Sequence, residues 1–203
     1  MKKVMLACLS ILMTAGLMNV NAQTTISGGI KAEANMSNFI LTDLDYQTSK
    51  LNVGANLGGF MKIDLHENFA IQPEIMFFFK NSKMETGNYK DDFQQFGLQI
   101  PVYAVGQMNL GTGKGYVGVG PYVGLGFTAN MKDADSDLYE KVNDGAAMNR
   151  WDFGIGAMIG YEFGNGIQIN AGYQIGLIDQ LDAGKDNATM LNQGISLGIG
   201  YRF

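Results

Sequence analysis

The chain contains one histidine, His66, in the run His66-Glu67-Asn68. Hydrolysis by a side-chain nucleophile needs a hydroxyl or thiol, a base and a group that orients the base, all in contact. No serine lies near His66 in sequence, and the one cysteine, Cys8, stands in the amino-terminal apolar run. His66 therefore reads as a solvated turn residue rather than a general base. Two glycine runs, GVGPYVG (118–124) and GIGAMIG (154–160), share the spacing G-x-G-x-x-x-G. A phosphate cradle needs a strand-to-helix turn after its first strand. Both runs instead sit inside unbroken alternation, which makes them strand. Gly113-Lys114-Gly115 lacks the Ser or Thr that would hold magnesium and falls in a short turn. Asp133-x-Asp135-x-Asp137 starts like a calcium loop, but the sixth position is Leu138 and the twelfth Asp144, where an EF-hand wants Gly and Glu. That excludes an EF-hand and leaves a looser calcium site beside the reading of a solvated acidic loop. The expectation is a protein with no catalytic, cofactor-binding or metal-ligating set, and not an enzyme.

The elements that carry these residues follow from period-two alternation. In residues 151–163, WDFGIGAMIGYEF, the odd positions are Trp151, Phe153, Ile155, Ala157, Ile159, Tyr161 and Phe163. The even positions are Asp152, Gly154, Gly156, Met158, Gly160 and Glu162. Gly164-Asn165-Gly166 then signals a tight turn. IQINAGYQIGL (167–177) alternates again, and the chain ends on GISLGIGYRF (194–203) with Ile195, Leu197, Ile199, Tyr201 and Phe203 on one face. The pattern predicts eight strands near 24–37, 51–65, 69–82, 92–109, 115–130, 150–163, 166–179 and 191–203. Connections after the second, fourth and sixth are short. Those after the first, third, fifth and seventh are longer and polar, the longest around MKDADSDLYEKVNDGAAMN (131–149).

Even strand number with short turns at one end and long loops at the other is the pattern of a transmembrane β-barrel. Lipid offers no hydrogen bonds, so a sheet that spans it must close on itself. The expected fold is all-β: an eight-stranded antiparallel up-and-down transmembrane β-barrel, with its apolar face outward. Sixteen glycines fall on the more polar face (29, 54, 58, 97, 118, 120, 124, 126, 154, 156, 160, 172, 176, 194, 198 and 200), against 28, 59 and 106 on the apolar one. The polar face also carries Lys31, Glu33, Lys62, Asp64, Glu74, Lys80, Asp152, Glu162 and Arg202. Eight strands enclose little more than their own side chains, so these charges are expected to pair across a mostly closed lumen. Phe69 and Phe79, like Phe153 and Phe163, stand ten residues apart on outward faces. At about 3.3 Å per residue and a tilt of about 40° they bracket roughly 25 Å, the height of the apolar band.

The start, MKKVMLACLSILMTAGLMNVNAQ, has a basic pair, an apolar run and a small-residue site at Val20-Asn21-Ala22. It reads as a cleaved signal peptide, residues 1–22, ahead of one domain, residues 23–203. That domain has no cysteine, and without Lys2 and Lys3 the formal charge moves from −5 to −7. An acidic, exported chain is a poor partner for nucleic acid. Thirteen of the 19 acids fall in the four long loops: Asp43, Asp45, Glu85, Asp91, Asp92, Asp133, Asp135, Asp137, Glu140, Asp144, Asp179, Asp182 and Asp186. A solvated, soluble loop surface is the default reading.

Several segments resemble the PorT-like outer-membrane β-barrel family of Gram-negative bacteria: GGIKAEANMSNF, LGGFMKIDLHENFAIQPEIMFFFK, FGLQIPVYAV, GYVGVGPYVGLGF, and GIQINAGYQIGLID with the terminal GYRF. The resemblance implies the outer membrane, with both termini periplasmic and lipid as the surrounding partner. It also implies that the assembly machinery recognises the last strand, ending at Phe203. The functional expectation is a small barrel with a mostly closed polar lumen and acidic extracellular loops, in a structural or interaction role. The alternatives are a narrow porin-like channel for small solutes and a PorT-like component of a protein-secretion apparatus; the extracellular or secretion partner is not named by any residue. Loop length predicts the orientation. An epitope inserted after Asp137 should be reached by antibody on intact cells, and one after Asn165 should not; the reverse labelling would invert the topology.

Overall fold

The computed structural model describes residues 24–42, 47–86, 89–131, 138–139, 141–142, 145–146, 148–180 and 189–203. Eight strands form the wall: β1 (Thr25–Thr42), β2 (Gln47–His66), β3 (Phe69–Thr86), β4 (Tyr89–Leu110), β5 (Gly113–Met131), β6 (Trp151–Glu162), β7 (Ile167–Gly176) and β8 (Thr189–Arg202). Each pairs antiparallel with its sequence neighbour, and β8 pairs with β1 from Gly29↔Arg202 to Thr42↔Thr189, which closes the barrel. The Phe203 N–H extends the seam by donating to the Gly28 carbonyl at 2.9 Å. Eight-stranded, antiparallel and up-and-down, the wall is the one that alternation predicts.

The faces are inverted relative to a protein that folds in water. Leu197 and Ile199 are 70% and 65% exposed, while Lys62 and Gln168 are each 1% exposed. Apolar side chains point out and ionised ones point in because the outer solvent is hydrocarbon. Aromatic side chains gather at two heights. Tyr161 packs edge-on against Phe163, and Tyr201 against Phe203, at the end with the short turns. Phe77, Phe96 and Phe127 form a row across β3, β4 and β5 toward the other end. These are the two girdles of an interfacial band.

The short turns are Glu67-Asn68, Gly111-Thr112 and the stretch 163–166. Gly111 (φ 63°) and Gly166 (φ 86°) supply the left-handed backbone that two of them need. At the opposite end the strands run further than the alternation suggests. The stretches expected as the first and second long connections are largely strand. Only residues 43–46 separate β1 from β2, and 87–88 separate β3 from β4. Thus Glu85 lies in β3, and Asp91 and Asp92 in β4, rather than in loops. None of these extensions alternates apolar with polar in sequence, the first being Asn38-Phe39-Ile40-Leu41-Thr42 and the others mostly polar: beyond the membrane, a hairpin needs no apolar stripe to keep its ladder.

Above the band the ring divides. Pairing of β1 with β2 stops at Ser37↔Asn52, of β5 with β6 at Leu125↔Trp151, and of β7 with β8 at Gln193↔Ile175. The remaining ends form a two-stranded ribbon (β8, β1) facing a four-stranded sheet (β2 to β5). Between them Phe39, Phe93, Ala129, Met190 and the connection residues Tyr139 and Met148 make a buried apolar cluster, with Leu138 at its edge. A lumen polar along its whole length is therefore not what the chain builds. The connection after β5, expected as a solvated loop, sends Tyr139 inward, 3% exposed. Backbone bonds hold the fill: Leu138 N–H to Ala129 at 2.8 Å, Gly126 N–H to Arg150 at 2.8 Å and Gln180 N–H to Met190 at 2.9 Å. A two-residue ribbon, Lys141–Val142 with Gly145–Ala146, lies in the same connection.

All three prolines sit in adjacent strands. Pro73 stands opposite Val102, and Pro101 opposite Tyr122; Pro121, next to Tyr122, follows in β5. Each removes a ladder donor, and β4–β5 pairing lapses between Pro101↔Tyr122 and Ala104↔Val119 with the register unchanged. Here a Cβ on Gly120 would lie 1.9 Å from the Val102 carbonyl oxygen. Gly120→Val should abolish the folded, heat-modifiable species on electrophoresis. Gly106→Ala, whose new Cβ would meet nothing closer than 3.8 Å, should leave it intact.

Candidate functional site: the lumen

The inward residues of the eight strands stack into tiers. At the turn end, Glu162 (β6) takes Arg202 (β8) through Oε1 and Lys62 (β2) through Oε2, the latter at 3.3 Å. Gln168 Nε2 adds a bond to the same Oε2 at 2.8 Å. Arg202 also reaches Asp64 at 3.5 Å, and Asp64 accepts Gln107 Nε2 at 2.8 Å. Six side chains from β2, β4, β6, β7 and β8 thus span the mouth. The network fits here because positions near three strand ends carry Lys62 and Asp64, Glu162, and Arg202, and their neighbours supply amides. The Lys62 ammonium lies 5.6 Å from the Tyr116 ring centroid, and Tyr116 starts an apolar tier with Ala70, Tyr103, Val105 and Met158.

In the middle tier, Lys31 (β1) is clamped by both oxygens of Glu74 (β3), at 2.7 and 2.6 Å, and lies 3.4 Å from Glu33. Gln72 donates to Glu74 at 2.8 Å. Asn56 and Asn170 each donate to Glu33 at 2.9 Å. Every carboxylate oxygen there has a donor, which is what keeps an ionised group tolerable away from water. The next tier holds Asp152, whose Oδ2 accepts Tyr122 Oη at 3.1 Å and Asn192 Nδ2 at 3.0 Å. Lys80 lies in the same region with its ammonium 4.7 Å from the Phe78 ring centroid. Above it, Gln95 donates to Tyr139 Oη, and the Arg150 guanidinium donates to the Tyr139 carbonyl at 3.4 Å while lying over its ring.

Seven of the nine charged residues expected inside therefore meet an opposite charge: Lys31, Glu33, Lys62, Asp64, Glu74, Glu162 and Arg202. Lys80 and Asp152 are inside but do not pair directly; the Asp152 carboxylate is held by a phenol and an amide instead. Of the residues weighed for chemistry, His66 is exposed at a turn, its Nδ1 accepting the Asn68 N–H at 3.3 Å. No nucleophile and base converge on it among the described residues. The glycine runs lie in β5 and β6, and their role is steric. A Cβ would strike the Tyr116 ring from Gly160, Tyr122 from Gly154, Tyr103 from Gly156 and Tyr139 from Gly126, each within 2.9 Å. These four tyrosines fill the lumen over bare backbone. That seating was legible in part, because Tyr116 and Tyr122 share the glycine face of their strand. Asp179 accepts the Met190 N–H at 2.9 Å. Asp43, Asp45, Asp133, Asp135, Asp137, Glu140, Asp144, Asp182 and Asp186, with the calcium-like spacing, lie outside the described residues.

Little space remains. Two cavities of about 20 Å³ each lie in the lumen, one beside Lys31 and Glu74 and one beside Lys80 and Tyr122; both touch Asn56, Gln174 and Ser196. A hollow of about 320 Å³ opens between the turns at Gly111 and Gly164, outside the Arg202 tier.

The profile of the outer membrane protein beta-barrel domain family matches residues 18–182. Neisserial surface protein A aligns at 14% identity and a TM-score of 0.52, over 88% of this chain and 99% of that one. OprG of Pseudomonas aeruginosa aligns at 15% identity and 0.53, over 88% and 95%. At such identities the likeness is one of fold. No curated protein sequence matches the chain significantly.

The middle tier generates a direct test. Glu74→Gln leaves Lys31 with the more distant Glu33, so it should cost about 3–5 kcal/mol. Replacing Lys31 and Glu74 together by Met should cost less than the two single changes summed. Urea unfolding in liposomes, followed by the fluorescence of Trp151, reads both.

Proposed function

The chain belongs to the outer membrane protein beta-barrel domain family, and from that premise we propose that it is a closed, non-conducting barrel of the outer membrane in a structural or interaction role. The observation that carries this reading is the double seal. Six charged and amide side chains cross one mouth, and an apolar cluster fills the other. Between them, each of the two lumen cavities described has room for about one water molecule. A solute path would have to break buried ion pairs and expel Tyr139 together.

In this reading the divided, loop-bearing end faces the outside of the cell and meets partners there, while both termini face the periplasm. Hydrocarbon contacts the Ile, Leu and Val face. The last strand, completed by Phe203, is what the assembly machinery engages. A PorT-like part in protein secretion would use the same projecting ribbon and sheet as its contact surface; co-purification of secretion components from detergent-solubilised membranes would favour it.

The test of closure is electrical. Purified barrel reconstituted in planar bilayers should give no sustained conductance steps, and liposomes containing it should not swell in isosmotic sugar. Regular conductance steps from the unmodified protein would overturn the reading and establish the narrow channel in its place.

A further inference from the structure

The ion pairs of the lumen leave some polar atoms over. Among the described residues, the buried side-chain atoms without a protein partner include one oxygen each of Asn35, Asn81, Gln107, Asp152 and Asn170, and no nitrogen stands with them. The surplus is one of acceptors, so whatever satisfies it must donate.

Two of these residues line the lumen cavities. Asn35 lines the cavity beside Lys80 and Tyr122, and Asn170 the one beside Lys31 and Glu74. They are 5% and 7% exposed. Neither amide can turn over to hide its oxygen. Asn35 Nδ2 donates to Asn56 Oδ1 at 2.6 Å and to the Phe79 carbonyl at 3.2 Å, and a flip would set oxygen against both. Asn170 Nδ2 donates to the Glu33 carboxylate at 2.9 Å, so a flip there would oppose oxygen to a charged group.

Each cavity, at about 20 Å³, admits one guest of the size of a water molecule. The linings choose among guests of that size. A halide has no proton to give an amide oxygen. A bare metal cation would meet a lysine in each lining and has no room for a hydration shell. Water donates to the oxygen and can also accept from donors in the same linings.

We propose that each cavity binds one ordered water molecule, the first donating to Asn35 Oδ1 and the second to Asn170 Oδ1. Asn56, Gln174 and Ser196 line both cavities, so the two waters lie on either side of the same three side chains. They join the tier of Lys31, Glu33 and Glu74 to the tier of Lys80 and Asp152, which share no ion pair among the described residues. The sites lie inside the barrel and do not depend on whether it conducts or which way it faces.

A crystal structure of the full barrel, at a resolution that orders internal solvent, reads the proposal. One peak should lie within hydrogen-bond distance of Asn35 Oδ1 and another within that distance of Asn170 Oδ1. Neither should gain anomalous signal after soaking in bromide or rubidium. Asn35→Leu removes the acceptor at nearly constant volume; it should abolish the first peak and keep the second. Empty cavities, anomalous signal in either, or a first peak that survives in Asn35→Leu would each overturn the proposal. Should that variant not fold, the wild type decides in detergent micelles by nuclear magnetic resonance. Cross-peaks between long-lived water and the side-chain amide protons of Asn35 and Asn170 are then required, and their absence is fatal.

Discussion

Hydrocarbon cannot hydrogen-bond a peptide group, and the rest of the structure follows from that. Each N–H and C=O within the membrane needs a partner inside the chain, so the sheet has no tolerable edge and β8 must meet β1. Closure forces the sides apart chemically: isoleucine, leucine and valine outward, and everything polar into a space eight strands wide. In that space water is scarce, so charged side chains satisfy each other. The ion pairs of the lumen are thus a consequence of the backbone's need rather than an independent source of stability.

Where the band ends, the constraint lapses and the architecture changes with it. Pairing stops at three seams, the ring opens into a ribbon and a sheet, and the interior becomes apolar around Phe39, Phe93 and Tyr139. That part is organised around a greasy centre, as a water-facing domain is. One chain therefore carries two opposite burial rules, and the switch falls near Ser37 on β1 and Trp151 on β6.

This division explains which features could be read from the sequence. Residues 151–163 and 194–203 alternate cleanly because one face meets lipid, so their strands, their inward charges and the closure were legible. The extensions from Asn38 to Thr42 and from Lys83 to Thr86 were not: Phe39, Ile40 and Leu41 are apolar in succession and the second stretch is polar but for Met84, so neither leaves a period-two trace. Tyr139 was hidden for another reason. An aromatic in an acidic stretch, Asp133 to Asp144, gives no sign that it turns inward until the wall it packs on, Gly126 and Ala129, is in place. The nine inward charges were identifiable by parity, but which of them pair depends on tilt and register. Lys80 and Asp152 occupy the right face and still miss each other.

Order of synthesis gives the turn-end tier one more meaning. Lys62 and Asp64 emerge early, Glu162 later and Arg202 with the last strand of the barrel. A barrel lacking its final strand would have Glu162 and Asp64 facing Lys62 alone, an excess of negative charge at an unfinished mouth beside an unpaired β1 edge. In the finished barrel β8 supplies both the guanidinium that neutralises the excess and the partner for the β1 edge. The molecule thereby carries its own completeness check: electrostatic relief and hydrogen-bond closure are coupled, and a chain that stops short obtains neither.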